Sequence, residues 1–149
     1  MKVTITGIAD VNRILREIAP REAKNLLSAT VMEMTKELAK DAKGNTPNDP
    51  NSPEWLGDGY GNKRERGDRN TVAASVIVKN TKGKGEAGRN YFWRFLEYGQ
   101  GPDNVEHAMF LKAFQKMKPE IIPIYLRIFG KKLEARLKRV NKARAKAGG

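Results

Sequence analysis

The chain has 149 residues, of which 39% are hydrophobic and 31% are charged, a composition typical of a globular domain with a polar surface. No apolar run approaches the roughly 20 residues that a membrane span needs, the first residues lack the apolar segment of a signal peptide, and the absence of cysteine excludes disulfides and thiolate metal sites. The formal net charge of +12 predicts attraction to polyanions such as nucleic acid, anionic membrane or acidic protein surfaces.

The first quarter of the sequence predicts a short strand and two helices. Val3 and Ile5 alternate with threonines up to Gly7, which indicates a strand. Asp10 is a good N-cap for a first helix, and Pro20 either ends that helix or starts the next one.

The second helix is predicted over residues 21–43, with apolar residues spaced by three and four positions. These are Ala23, Leu27, Val31, Met34, Leu38 and Ala42. The repeat is too short for a standalone coiled coil, so the spacing predicts a core helix that lies across a sheet.

Residues 45–70 predict an extended loop, because they show no periodicity and are rich in proline, glycine and asparagine. Trp55 and Tyr60 are apolar anchors that a disordered linker would tend to lack. A loop that becomes ordered against a partner is favoured. A loop folded on its own domain is the alternative.

The strongest strand pattern lies in residues 71–79, where Val72, Ala74, Val76 and Val78 alternate with mostly smaller or polar residues. A turn rich in glycine and lysine follows over residues 80–88. A second strand is expected around residues 89–92.

The next segment holds five of the eleven aromatic residues of the chain within residues 91–98. As a helix it places Tyr91, Phe95 and Tyr98 on one face, and Gly99 is expected to end it. A core helix with exposed rings is one interpretation. The other is a helix with one face against a neighbouring chain, since interfaces favour aromatic residues and arginine. The candidate interface residues are Trp55, Tyr60, Tyr91, Phe92, Trp93, Arg94 and Glu97, the last expected to pair with a basic group.

Two further helices are predicted in the last third of the chain. A short amphipathic helix has its apolar face at Phe110, Leu111, Phe114 and Met117, before a break at Pro119. The last helix has its apolar residues at nearly regular helical spacing, and Gly130 is expected to interrupt or bend it. These residues are Ile122, Tyr125, Leu126, Phe129, Leu133, Leu137 and Val140.

The last nineteen residues hold eight basic side chains and one acidic one, a net +7 of the total +12. A solvated helix face is one explanation. The other is a positive surface that meets DNA or an acidic partner. The candidate residues are Lys131, Lys132, Arg136, Lys138, Arg139 and Lys142.

No catalytic or cofactor-binding constellation is evident in the sequence. His107 is the one histidine, and it has no ligand partners for zinc and no evident nucleophile. The segment Gly83-Lys84-Gly85 lacks the spacing of a phosphate-binding loop. We therefore expect a protein that is not an enzyme and that binds neither cofactor nor metal.

The order of several motifs resembles the tail-completion, or head–tail joining, family of tailed bacteriophages, in particular of lambdoid, HK-type siphophages. The motifs are residues 3–8 before a helix, Thr46-Pro47 at the end of the long helix, Ala73-Ala74-Ser75-Val76, the aromatic residues 91–99, and His107 with residues 110–114. The resemblance covers residues 1–118. The sequence departs from the family where two prolines are replaced, at or near Ala108 and Ala113, and its loop and basic helix are longer.

The resemblance implies an α+β fold, with long helices packed on one side of a small antiparallel β-sheet, in agreement with the pattern of elements. We expect a single domain over residues 1–130, with the extended loop at 45–70, followed by a basic C-terminal helix and tail over residues 131–149.

The implied function is that of a virion structural protein, assembled in the host cytoplasm, that forms a ring, expected to be hexameric, at the neck. Its expected partners are its own copies, tail-tube or terminator proteins, head-connector proteins and packaged DNA, with no membrane and no small-molecule substrate. The alternative is a nucleic-acid-binding protein that uses the basic C-terminal helix.

Overall fold

The computed structural model describes residues 5–47, 59–68, 71–79, 96–100 and 105–148. Its helices and strands are, in chain order, α1 (Ile8–Glu17), α2 (Pro20–Gly44), β1 (Tyr60–Glu65), β2 (Ala73–Val78), α3 (Met109–Met117) and α4 (Ile121–Ala147). A 3-10 turn, Lys118–Glu120, joins the last two helices. The fold is α+β, with long helices and a small two-stranded antiparallel sheet, as predicted.

The start of α1 differs from the sequence prediction. The helix begins at Ile8, so Asp10 lies in its first turn and is not the N-cap. Its carboxylate accepts hydrogen bonds from the backbone nitrogen and the hydroxyl of Thr6, which hold the pKa of Asp10 below its usual range. The predicted strand is not confirmed in its described part, since Ile5 and Thr6 are in no strand, and residues 1–4 lie outside the described residues.

The long helix α2 lies at the centre of the fold, where it contacts the strands β1 and β2 and the helices α3 and α4. Its predicted bounds are confirmed to within one residue, and Pro20 occupies its first turn, where the missing N–H costs nothing. The predicted apolar stripe is wrong in detail, because α2 is covered on more than one side. Its buried residues are Leu26, Ser28, Thr30, Ala39 and Ala42, while Leu27, Val31, Met34 and Leu38 are only partly buried.

The main hydrophobic core joins α1, α2 and α4 near the N-terminal end of α2. It consists of Val11, Ile14, Leu26, Phe129 and Leu133, and the Phe129 side chain is fully buried. Because Leu133 belongs to this core, the body of the domain continues past Gly130. The helix α4 runs without interruption through that glycine, and the predicted boundary at residue 131 therefore falls inside a packed helix.

The predicted loop over residues 45–70 is wrong in its second half, because residues 60–65 form strand β1. This strand pairs antiparallel with β2, from Tyr60 opposite Val78 to Glu65 opposite Ala73. The strand β2 confirms the strand predicted over residues 71–79. The second strand expected around residues 89–92 lies outside the described residues.

The strand β1 turns polar side chains towards α2, and α2 and the residues just after it supply a partner for each of them. The Asn62 amide donates to the Met32 carbonyl oxygen at 2.7 Å, and Arg64 Nε donates to the hydroxyl of the buried Ser28. The Tyr60 hydroxyl lies 2.9 Å from Thr46 Oγ1, just after the end of α2. These three contacts, from Tyr60, Asn62 and Arg64, form what we call the polar seam. It explains why β1 lacks the apolar alternation that identifies a half-buried strand.

We expect the substitution Asn62→Ala to lower the free energy of unfolding by about 1 kcal/mol, because a partly buried hydrogen bond to the α2 backbone is lost. The substitution Lys63→Ala, at the exposed neighbouring position, is the control and should change it by less than about 0.5 kcal/mol. Urea denaturation of the two variants and the parent measures both. Equal values for the two variants would show that the polar seam does not hold β1 on α2.

Candidate functional site

A tight turn brings residues 96–99 beside the chain that leads into α3. Leu96–Tyr98 are helical, and Gly99 follows with φ of +70°, so the predicted helix end at Gly99 is confirmed. A Cβ atom at Gly99 would lie 3.0 Å from the backbone nitrogen of Glu106, so both the backbone angle and the close approach require glycine here. The His107 backbone nitrogen donates to the Leu96 carbonyl oxygen at 2.9 Å and closes the turn.

Glu97 caps the start of α3 from this turn. Its side chain is 6% exposed, and its two carboxylate oxygens accept hydrogen bonds from the backbone nitrogens of Phe110 at 3.0 Å and Leu111 at 3.1 Å. The first N–H groups of a helix have no partner within the helix, and the helix dipole favours a negative charge there. The carboxylate thus replaces the missing N-cap side chain, since Ala108 provides none and has φ of +45°.

Tyr60 approaches the same place from the sheet. Its ring centroid lies 5.0 Å from that of Phe110, and its hydroxyl lies 3.2 Å from the Met109 sulfur. The Asn45 amide donates to the Met109 carbonyl oxygen at 3.3 Å. Burial raises the pKa of Tyr60 to about 12, and the negative charge of Glu97 adds to the rise. The end of α2, the start of β1, the Gly99 turn and the start of α3 therefore meet, and we call this place the junction.

Two of the seven predicted interface residues, Tyr60 and Glu97, are described, and both use their polar atoms inside the chain. The Glu97 oxygens bind the α3 backbone, so the expected pairing with a basic group is not what they do in the described structure. The other five interface candidates lie outside the described residues. They are Trp55, Tyr91, Phe92, Trp93 and Arg94.

The face that α3 buries overlaps the predicted apolar face only at Met117. The buried residues are Met109, Ala113 and Met117, whereas Leu111 and Phe114 are 47% and 45% exposed. Tyr98, in the turn that caps this helix, is 62% exposed. The four-residue spacing of Met109, Ala113 and Met117 already indicates this face in the sequence. The prediction favoured the other face because Phe110, Leu111 and Phe114 are larger.

The predicted basic surface divides into two parts. Lys132 pairs with Glu33 at 3.5 Å and Arg136 pairs with Glu22, both on α2, as Arg127 also does with Glu37 at 2.9 Å. Such half-exposed pairs contribute little stability each, but they orient α4 along α2. The other predicted basic residues are exposed, and among the described residues no ion pair involves them. They are Lys131, Lys138, Arg139 and Lys142.

The described ranges contain no cluster of three or more His, Asp or Glu side chains that could hold a metal ion. In the same ranges, none of the helices combines the length and apolar character needed to cross a membrane. In the described structure, His107 contributes its backbone hydrogen bond to the turn.

Comparison with known proteins gives no match to a protein-family model, to a curated protein or to a solved structure. The relation to the tail-completion family therefore stays a prediction from the motifs.

We expect Glu97→Gln to lower the free energy of unfolding by about 1–2 kcal/mol, because a neutral amide loses the interaction with the helix dipole and one of the two acceptor oxygens. The exposed Glu106→Gln removes the same charge nearby and should cost less than about 0.5 kcal/mol. Chemical denaturation checks both. If Glu106→Gln costs as much as Glu97→Gln, then local charge, and not capping, explains the effect.

The raised pKa of Tyr60 predicts a pH dependence. An unfolded tyrosine ionises with a pKa of 10.0, whereas the folded Tyr60 does so at about 12. The stabilisation that follows from the raised pKa of Tyr60 is fully present below pH 10. It is lost as the pH rises towards 12, because unfolding then releases a proton. In urea titrations across this range, the parent should lose stability more steeply than Tyr60→Phe. If the two proteins lose stability in parallel with pH, the pKa of Tyr60 is not raised in the folded state.

Proposed function

We propose that this chain is a virion structural protein of a tailed bacteriophage, which forms a ring at the neck, expected to be hexameric, and joins the tail tube to the head connector. The proposal starts from the resemblance of its motifs to the tail-completion family. The alternative, a nucleic-acid-binding protein, shares the basic helix with this proposal but does not account for the other motifs.

The observation that carries the proposal is that motifs far apart in the sequence meet at the junction. Thr46 of the Thr46-Pro47 motif donates a hydrogen bond to the Tyr60 hydroxyl, and the Tyr60 ring packs on Phe110 of the last motif. Glu97 of the aromatic motif caps the helix that contains Phe110. Three of the five motifs therefore meet in one structural unit, which supports the resemblance better than motifs scattered over the surface would.

The two alanines at or near the replaced family prolines occupy positions where proline would be unfavourable, for different reasons. Ala108 has a positive φ, whereas the proline ring fixes φ near −65°. Ala113 lies inside α3 and is fully buried, where a proline would remove a helical hydrogen bond. Both departures therefore concern α3 and the residue before it.

A ring needs surface that binds the next subunit, and α3 offers apolar side chains for it. Leu111 and Phe114 are three residues apart, so they share a helix face, and Tyr98 lies in the turn capped onto the same helix. Exposed large apolar side chains grouped on one element are characteristic of interfaces between copies of a chain. We therefore propose that Leu111, Phe114 and Tyr98 form part of the interface with the next subunit.

Purified heads and tails that were assembled without this chain provide the test. Addition of the parent protein should restore joined particles, and light scattering should show a ring-sized species at high concentration. The double substitution Leu111→Gln and Phe114→Gln should reduce both, since loss of interface anchors costs about 2 kcal/mol or more each.

The matched control is Ile122→Gln with Val140→Gln, which removes two exposed apolar side chains, 54% and 40% exposed, from α4. It should assemble and join like the parent. If the parent chain fails to join heads to tails, the neck proposal is wrong. If the parent joins and the α3 double variant joins equally well, the neck proposal stands but α3 is not the interface.

A further inference from the structure

The end of α4 extends beyond the folded body. Leu133 is buried and Leu137 packs against the core, but every residue from Lys138 to Gly148 is exposed. The helical part of this segment, residues 138–147, spans about 15 Å. It contains five basic residues and no acidic one. We call it the arm.

Five of the exposed cations of α4 form a row on the side of the helix that faces away from the core, whereas the exposed Arg144 lies on the opposite side. At 100° per residue, the residues of the row fall within about 100° of the helix circumference, opposite Phe129 and Leu133. We call them the outer row: Lys131, Lys138, Arg139, Lys142 and Lys146. Glu134, the one acidic residue after Gly130, lies outside this arc, and the row is about 22 Å long.

The structure separates this row from the other basic residues of α4. Arg127, Lys132 and Arg136 border α2 and pair with its glutamates, so their charge is largely compensated. Among the described residues, no acid pairs with the outer row. The positive potential of the helix is therefore concentrated on its solvent side and towards its tip.

We infer that α4 binds the phosphate backbone of double-stranded DNA through the outer row, without reading the base sequence. Double-stranded DNA carries about one negative charge per 1.7 Å of its axis, so a row about 22 Å long lies beside roughly a dozen charges. Lysine and arginine contacts to phosphate supply affinity and position but carry no sequence information. Four of the five cations of the outer row lie on the arm, and the small alanines of the arm allow it to approach such a surface closely.

Two other anionic partners fit the arm less well. A helix that binds a membrane surface buries a broad apolar face, whereas the only large apolar residue beyond Leu137 is Val140. Interfaces with acidic proteins are centred on aromatic or large apolar anchors, and the arm has no aromatic residue. A uniform phosphate backbone needs only the cations that the row provides.

This inference goes beyond the proposed neck function and does not depend on it, because free protein and DNA suffice to test it. The test variant is the full chain with Lys138→Gln, Lys142→Gln and Lys146→Gln. All three lysines are exposed, so the loss of their charges should leave the melting temperature unchanged. The control variant is Lys40→Gln, Lys112→Gln and Lys118→Gln, three exposed lysines on α2, α3 and the 3-10 turn. Both variants lose the same net charge.

Fluorescence anisotropy with two duplexes of unrelated sequence, measured over a range of salt concentrations, gives the affinity. The parent should bind both duplexes equally. The outer-row variant should bind about tenfold or more weakly, with the slope of log affinity against log salt shallower by about 3, one per lost phosphate contact. The control variant should stay within about threefold of the parent.

Three results would overturn the inference. Equal weakening of both variants would show that net charge alone attracts DNA. Absence of binding by the parent at low salt would exclude a DNA surface. Equal binding of polyglutamate or of phosphatidylserine vesicles, with the same dependence on the outer row, would identify a general anion surface and not a DNA-binding one.

Discussion

The structure depends on the polar seam between β1 and α2. Buried or half-buried polar groups are stable only when each has a partner, so the seam is compatible with one register of the hairpin on the helix. A shift by one residue would turn Lys63 and Glu65 towards α2 and leave Ser28 and the Met32 carbonyl without their contacts. The seam thereby sets the position of Tyr60, and Tyr60 in turn sets where α3 begins.

The contacts of the junction determine which side chains of α3 are exposed on the surface. Glu97 and Gly99 hold the turn of residues 96–99 against the start of α3, while Asn45 and Tyr60 reach Met109 from the other side. With Met109 fixed and buried, the α3 helix has one rotation about its axis that also buries Ala113 and Met117. That rotation exposes Leu111 and Phe114. The proposed subunit surface is thus a consequence of internal hydrogen bonds formed by other residues.

The sequence predicted those elements whose apolar residues recur at a regular spacing. The helices α2 and α4 and the strand β2 were recognisable because apolar residues recur along them at helical or alternating spacing. The strand β1 was missed because its inward residues are polar, and their partners on α2 are known only once the two are packed together. For the same reason, Tyr60 and Glu97 were identified as notable residues, but their capping and seam contacts were not. The ion pairs that divide the basic surface also depend on the antiparallel pairing of α2 and α4.

The arm is the continuation of a helix whose first half is packed in the core, and this has a mechanical consequence. Alanine, lysine and arginine are among the best helix formers, and cations near a helix C-terminus interact favourably with its dipole. The arm can therefore stay helical without packing, as a stiff lever whose direction is fixed by Phe129 and Leu133. A force on the tip of the arm would therefore act directly on the core, because the helix has no break at which the arm could bend separately. In any assembly, the angle between copies of the arm would be set by the bodies from which they project.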